Sequence, residues 1–204
     1  MKPYTIIKNG QSEILQSGDL DLYQYNAYIG SHSIQTSTRN SYWYINNNEV
    51  ISQSGTGKHI DSKLVCVEIF GYTPEKRTST FSKLTDLPYI NGCSTKQLIN
   101  PNRIGDPTWQ LLYIPNHTSE QAHHIHSTTR IVYVLKGKGQ SHIGQGIENL
   151  ISFDLEAGDV LVLDKMVPHH FSTSDDSLIV LPLHIFSSTE QEYNHPMFNG
   201  TYRT

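Results

Sequence analysis

Apolar and polar residues alternate in short runs along most of the chain, and Gly, Asn, Asp and Ser separate the runs. Alternation of this kind puts every second side chain on one face of an extended strand, whereas a helix needs apolar positions three and four apart. The pattern predicts strands at 21–29, 41–45, 64–70, 109–115, 121–126, 130–137, 139–144, 159–164, 169–174 and 178–186. No stretch carries a helical period; at most one turn fits between Ser82 and Leu87. Short strands punctuated by turn residues at this spacing read as a sandwich or barrel. Two regions break the pattern. Residues 71–108, rich in Thr, Pro, Gly and Asn, read as a connector holding one or two short strands, and the segment after Phe186, SSTEQEYNHPMFNGTYRT, has no period and reads as an arm. The expected organisation is therefore N-terminal strands and connector over 1–90, a barrel over 91–186 and a C-terminal arm over 187–204. Fixed-period repeats are absent.

Composition sharpens the fold class and narrows the partners. Tyrosine is abundant, with 12 copies, and only 17 % of residues are charged, a balance that favours strands over helices. The net charge is −4 and no Lys/Arg cluster occurs, which argues against a nucleic-acid partner. Cys66 and Cys93 stand in unrelated contexts and supply neither a disulfide framework nor a cysteine zinc site; they read as reduced thiols. The chain opens without an apolar leader and holds no apolar run of membrane-spanning length. The expectation is a soluble, cytoplasmic protein that meets small molecules.

Histidine placement then supplies the chemistry. Eight of the 11 histidines fall between His117 and His184. In QAHHIH, read as extended, His124 and His126 share one face while His123 and Ile125 take the other. Two imidazoles on one face reach one metal ion, and His169, opening a strand behind the rigid Pro168, is placed to complete the set. Neutral imidazole suits Fe, Zn, Ni and Cu.

These segments resemble the two motifs of the cupin superfamily. The first, G-x5-H-x-H-x3-E-x6-G, is matched by His124, His126 and Gly137, with Thr118 at the leading glycine and Arg130 at the glutamate. The second, G-x5-P-x-G-x2-H-x3-N, is matched by Gly158 and His169, with Asp164, Met166 and Thr173 at the proline, glycine and asparagine. The resemblance spans roughly Trp109 to Phe186. It implies an all-β double-stranded β-helix, the cupin jelly roll, here with additional N-terminal strands, and a homodimer formed by packing sheet against sheet.

Departure from the motif carries the functional reading. An arginine cannot ligate a cation, so the implied site is three histidines, His124, His126 and His169, with open positions, similar to the gentisate and salicylate dioxygenase branch and the thiol dioxygenases. The implied cofactor is one divalent transition metal, Fe(II) by preference, with Zn, Ni, Mn or Cu as alternatives. The implied activity is that of a dioxygenase on a small acidic substrate, with a ligand-binding, non-enzymatic barrel and a lyase or isomerase as the other readings. Arg130, if it faces inward, is the catalytic-site candidate that clamps a carboxylate in a bidentate pair. His123 and His170 are expected to pack on the opposite face, His184 to be a satisfied core histidine, and Glu120, which shares parity with His124, to stay clear of the metal. Trp109, Leu111 and Tyr133 are expected in the core, some beside the pocket, and the tyrosines of 21–29 and 41–45 as packing groups or a dimer surface.

Overall fold

The computed structural model describes residues 3–186 apart from 19–20, 22, 82–86, 89, 103–104, 121 and 146–148. The arm expected at 187–204 and most of the turn considered at 82–87 thus lie outside the described residues. Strands account for almost all regular structure: β1 (Tyr4–Ile7), β2 (Glu13–Gln16), β3 (Tyr25–Ile29), β4 (His32–Gln35), β5 (Ser41–Asn46), β6 (Glu49–Ser54), β7 (His59–Ser62), β8 (Val65–Ile69), β9 (Arg77–Thr80), β10 (Leu87–Pro88), β11 (Ser94–Ile99), β12 (Thr108–Ile114), β13 (Thr128–Ile143), β14 (Ile151–Glu156), β15 (Val160–Leu163), β16 (His169–Ser172) and β17 (Leu178–Phe186). Among the described residues no helix is long and apolar enough to cross a membrane.

Two β-sandwich units result. In the first, a six-stranded sheet of order β2-β3-β8-β5-β6-β9 packs Tyr42 and Cys66 onto Ile34 and Ile60 of the small β4-β7 sheet. In the second, a sheet of order β1-β15-β13-β17-β12-β11-β10 carries the jelly roll, while β14 and β16 pair with the C-terminal part of β13. Strand β1 crosses from the extreme N-terminus to close the edge of this second sheet, and its turn is tied down where Lys8 Nζ and Asn9 N donate to the buried Asp159 carboxylate.

Parity explains why the central strands read as continuous apolar runs. One face of the second sheet, with Trp109, Leu111, Ile131, Tyr133, Val160, Val162, Leu181 and Leu183, packs against Tyr25, Ala27, Trp43, Val65 and Val67 of the first unit. The other face, with Leu112, Ile114, Val132, Val134, Leu161, Leu163 and Val180, fills the jelly roll. Both faces are buried, so both parities are apolar. Trp109, Leu111 and Tyr133 are core residues as expected, but they point away from the jelly-roll interior. The jelly-roll sheet packs on the six-stranded sheet within the chain, and Tyr25, Tyr42 and Trp43 are buried as packing groups.

Three local expectations are corrected. Among the described residues, 122–126 form no strand; only an isolated bridge joins His124 to His169. The strands expected at 130–137 and 139–144 are one, β13, bent where the register shifts between Val134 and Lys136. Gly137 permits the bend: its φ is 86°, and a Cβ there would collide with the Ser177 carbonyl oxygen. The connector 71–108 holds three strands, β9, β10 and β11, and β11 pairs β12 as part of the second unit. The remaining unforeseen strands are short, four to six residues each.

Candidate metal centre

The described residues 117–120 and 122–126 run along β16 through isolated bridges without forming a strand. Thr173 N donates to Thr118 O at 2.8 Å, Glu120 N to Phe171 O at 2.9 Å, and His124 and His169 exchange main-chain bonds of 3.1 and 2.9 Å. Met166 N then takes the His126 carbonyl at 2.7 Å. Met166 holds a φ of 61° where the motif has glycine, and Gly137 and Gly158, at the two matched glycine positions, also have positive φ. Thr118 and Thr173, which replace the motif glycine and asparagine, bond each other: Thr118 N donates to Thr173 Oγ1 at 3.1 Å.

This backbone brings the three predicted histidines together. The ring centroids of His124 lie 4.6 Å from His126 and 4.7 Å from His169, and one ring nitrogen of each falls within 4.8 Å of the others. His124 Nδ1 donates to Ala122 O at 3.0 Å and His169 Nδ1 to Val167 O at 2.7 Å, which leaves the Nε2 lone pair of each ring facing the cluster. His124 Nε2 and His126 Nε2 are buried with no hydrogen-bond partner among the described residues. Convergent, neutral imidazole nitrogens, two of them unpartnered among the described residues, are the donor set of a divalent transition metal, so the residues present fit one. His169 Nε2 is approached by Arg130 Nη1 at 3.2 Å.

Arg130 does face inward. It is buried on the inner face of β13, and the register places it level with Leu163 of β15 on one side and His184 of β17 on the other, with Thr108 of β12 beyond. A cavity of about 480 Å³ opens here, walled by His126, Arg130 and His184 and by the apolar Leu112, Val132 and Phe171. His184 is not a satisfied core histidine. Its ring stands 6.2 Å from His126, and its buried Nε2 has no partner among the described residues. Glu120, dismissed on its position in the sequence, is buried and borders the same cavity, outside the ligand cluster. His123 and His170 behave as expected, packing on the far side of the metal candidates. Their Nδ1 atoms lie 2.9 Å apart, and His170 stacks on His142.

Burial first, and the Arg130 charge with it, hold the His126 and His169 pKa values down near about 3 and push His184 well below the ordinary imidazole value of 6.5. The rings are therefore neutral, and able to ligate, at any physiological pH. The sign of the stability effect follows. Above 6.5 neither the folded nor the unfolded chain protonates His169; below it the unfolded chain takes up a proton that the folded chain refuses until about pH 3. Metal-free protein is expected to lose stability as the pH falls through this window. Urea midpoints measured at intervals from pH 7 to 4 check this. They should fall less steeply for His169→Asn than for the parent, and equal slopes would contradict the burial of this imidazole.

Residues 110–186 match the protein family described as Cupin domain. No curated protein matches the chain. Among solved structures the chain is similar to HEPD from Streptomyces albus, determined with substrate 2-hydroxyethylphosphonate and Fe(II) bound; the likeness has a TM-score of 0.58 at 8 % identity and covers 92 % of this chain and 77 % of that one. It is also similar to vicilin from hazelnut, Corylus avellana, with a TM-score of 0.52 at 9 % identity over 89 % of this chain and 85 % of that one. At such identities the likeness is one of fold, and it extends over both sandwich units.

Proposed function

We propose that the chain is a metal-dependent cupin enzyme in which His124, His126 and His169 hold one divalent transition metal, Fe(II) by preference, and that it oxidises a small acidic substrate with O₂. The observation that carries the proposal is the placement of a buried guanidinium, Arg130, on the wall of the cavity that His126 also lines and 3.2 Å from His169 Nε2. A bound Fe(II) supplies coordination positions for substrate and O₂ and exchanges single electrons with them. Everything else falls to the chain. Arg130 and a cation on the imidazoles repel each other; two unit charges about 4 Å apart interact by about 4 kcal/mol at an effective dielectric of about 20. An anionic group lying between them offsets that repulsion, which makes an acid the favoured occupant. Arg130 orients it through paired hydrogen bonds, while Leu112, Val132 and Phe171 keep water away from the reacting end. The iron-bound HEPD shares the fold and lends the redox metal plausibility without identifying the substrate.

One observation favours a second reading, a non-enzymatic barrel that binds a small acid. Arg130 Nη1 sits on the lone pair of His169 that a metal needs, so the guanidinium and an ion compete for the same nitrogen. A screen of O₂ uptake separates the two. Protein loaded anaerobically with Fe(II) is mixed with a panel of small aliphatic and hydroxylated aromatic acids. Turnover of at least one acid is expected, with kcat/KM lowered about 10- to 100-fold in Arg130→Met, the usual range for loss of a charged hydrogen bond, and partly restored in Arg130→Lys. Acid binding without O₂ uptake for every compound would leave the binding-module reading standing and remove the oxygenase.

A further inference from the structure

We infer that the cavity selects a bifunctional substrate, an acid that also carries a hydroxyl or amino group, with Arg130 taking the acid end and Glu120 accepting a hydrogen bond from the second group. The inference rests on the reading of Arg130 as the anion clamp.

Glu120 is only 4 % exposed and borders the cavity together with His126, Arg130 and His184. Its place is fixed by the main chain. Glu120 N donates to Phe171 O at 2.9 Å, the neighbouring Ser119 bridges Ser172, and Cys93 Sγ approaches the Glu120 carbonyl at 3.9 Å. Its side chain, by contrast, is unfinished: Oε2 is buried and has no hydrogen-bond partner among the described residues. Burial holds this carboxyl above the usual carboxylate range, against the pull of the Arg130 charge.

A structural role for a buried acid looks different in this same chain. Glu68, inside the first unit, receives bonds on both oxygens. Tyr42 and Asn40 donate to Oε1 at 2.6 and 2.8 Å, and Tyr28 and Asn26 donate to Oε2 at 3.1 and 3.3 Å. Buried polar atoms are normally satisfied in this way. An acid left with a bare oxygen at a cavity wall is one whose partner arrives from the cavity. A simple carboxylate ligand satisfies Arg130 alone and places its negative charge near Glu120. A ligand with an acid at one end and a donor beyond it satisfies both walls, and the donor removes the like-charge penalty. Gln97 and Gln110, bonded to each other at 3.0 Å on the same wall, offer neutral amides and do not replace either contact.

The test is isothermal titration calorimetry on the full chain, with and without one equivalent of redox-silent Zn(II). The probes share one skeleton: propionate, lactate, alanine, 3-hydroxypropionate and β-alanine. The parent is expected to bind at least one hydroxyl- or amino-bearing acid about tenfold or more tightly than propionate. Glu120→Leu should bring that ratio close to one while still binding propionate. Glu120→Gln, which keeps the shape and an accepting oxygen, should keep a preference for a hydroxyl and lose one for an ammonium. Melting temperatures of all variants establish that they are folded. A parent that binds propionate as tightly as the other four, or a preference that survives in Glu120→Leu, overturns the inference. If Arg130→Met leaves propionate binding unchanged, the clamp reading falls instead, and if the parent binds none of the five acids, both fall.

Discussion

The His124→Ala/His169→Ala double variant is expected to retain no transition metal, whereas the parent binds about one ion per chain, as a single three-imidazole site implies. The two residues are coupled: their main chains exchange a pair of hydrogen bonds, and each ring is oriented by its own Nδ1 bond to a carbonyl two residues earlier. Losing both removes two of the three converging nitrogens and leaves His126 as a solitary ligand beside a cationic Arg130. The fold has less to lose, because the deleted rings present desolvated, unpartnered or cation-facing nitrogens rather than apolar packing. Elemental analysis of parent and variant after identical reconstitution with Fe(II) or Zn(II) reads the stoichiometry. Melting curves provide an independent readout. Metal at about 100 times its dissociation constant stabilises a folded site by about 2.7 kcal/mol, so added ion should raise the parent's melting temperature and leave the variant's unmoved. A parent that holds no ion after reconstitution would mean that the guanidinium on His169 occupies the site for good, and the protein would be an acid-binding barrel.

The clustering of the three histidines was legible because their spacing is set by motif positions that survive as backbone geometry, including the positive φ values at Gly137, Met166 and Gly158. The route by which the triad forms was not. Parity on an extended strand brought His124 and His126 together from an incorrect element, since 122–126 is held by an isolated bridge and a few main-chain bonds rather than a ladder. His184 was misjudged for a related reason. His184 has the inward parity of Val180 and Pro182, but only the pairing of β17 with β13 and β12 shows that this row ends at Arg130 and Thr108 instead of in packed apolar side chains. Glu120 lies outside the ligand cluster, as its place before the His pair implied, but that it also borders the cavity follows only from the course of its segment beside Phe171. The first sandwich unit was underread because its pairings join distant segments, as where β3 pairs β8 with Tyr25 level with Ile69, and local alternation carries no information on them.

Trp43→Ala is expected to cost about 3–5 kcal/mol, the usual range for truncating a buried aromatic in a packed core. Trp43 is completely buried at the centre of β5, level with Ser52 on one side and Val67 on the other. Its ring lies in the core where the six-stranded sheet meets the jelly-roll sheet, in the same cluster as Ile131 and Leu183, and stacks at 6.4 Å on Tyr72. Its Nε1 donates to Ser41 Oγ at 3.0 Å, so truncation also leaves that buried hydroxyl without its donor. Domains are typically stable by about 5–15 kcal/mol, and a fall of this size in a chain of this length lowers the melting temperature by about 10 °C. Ile151→Ala, at a strand position that is half exposed, is the matched control and should change stability by about 0.5 kcal/mol or less. Ile131 and Leu183 are the immediate neighbours of Arg130 and His184 in β13 and β17, on the opposite face, so the sheet that packs on Trp43 is also the wall of the cavity. Loosening it should weaken acid binding through Arg130 before it disturbs metal stoichiometry, because His124, His126 and His169 sit on the 117–126 segment and β16, away from this core. A folded Trp43→Ala variant that keeps full acid affinity but loses the metal would reverse that order and place the support of the metal centre in the first unit.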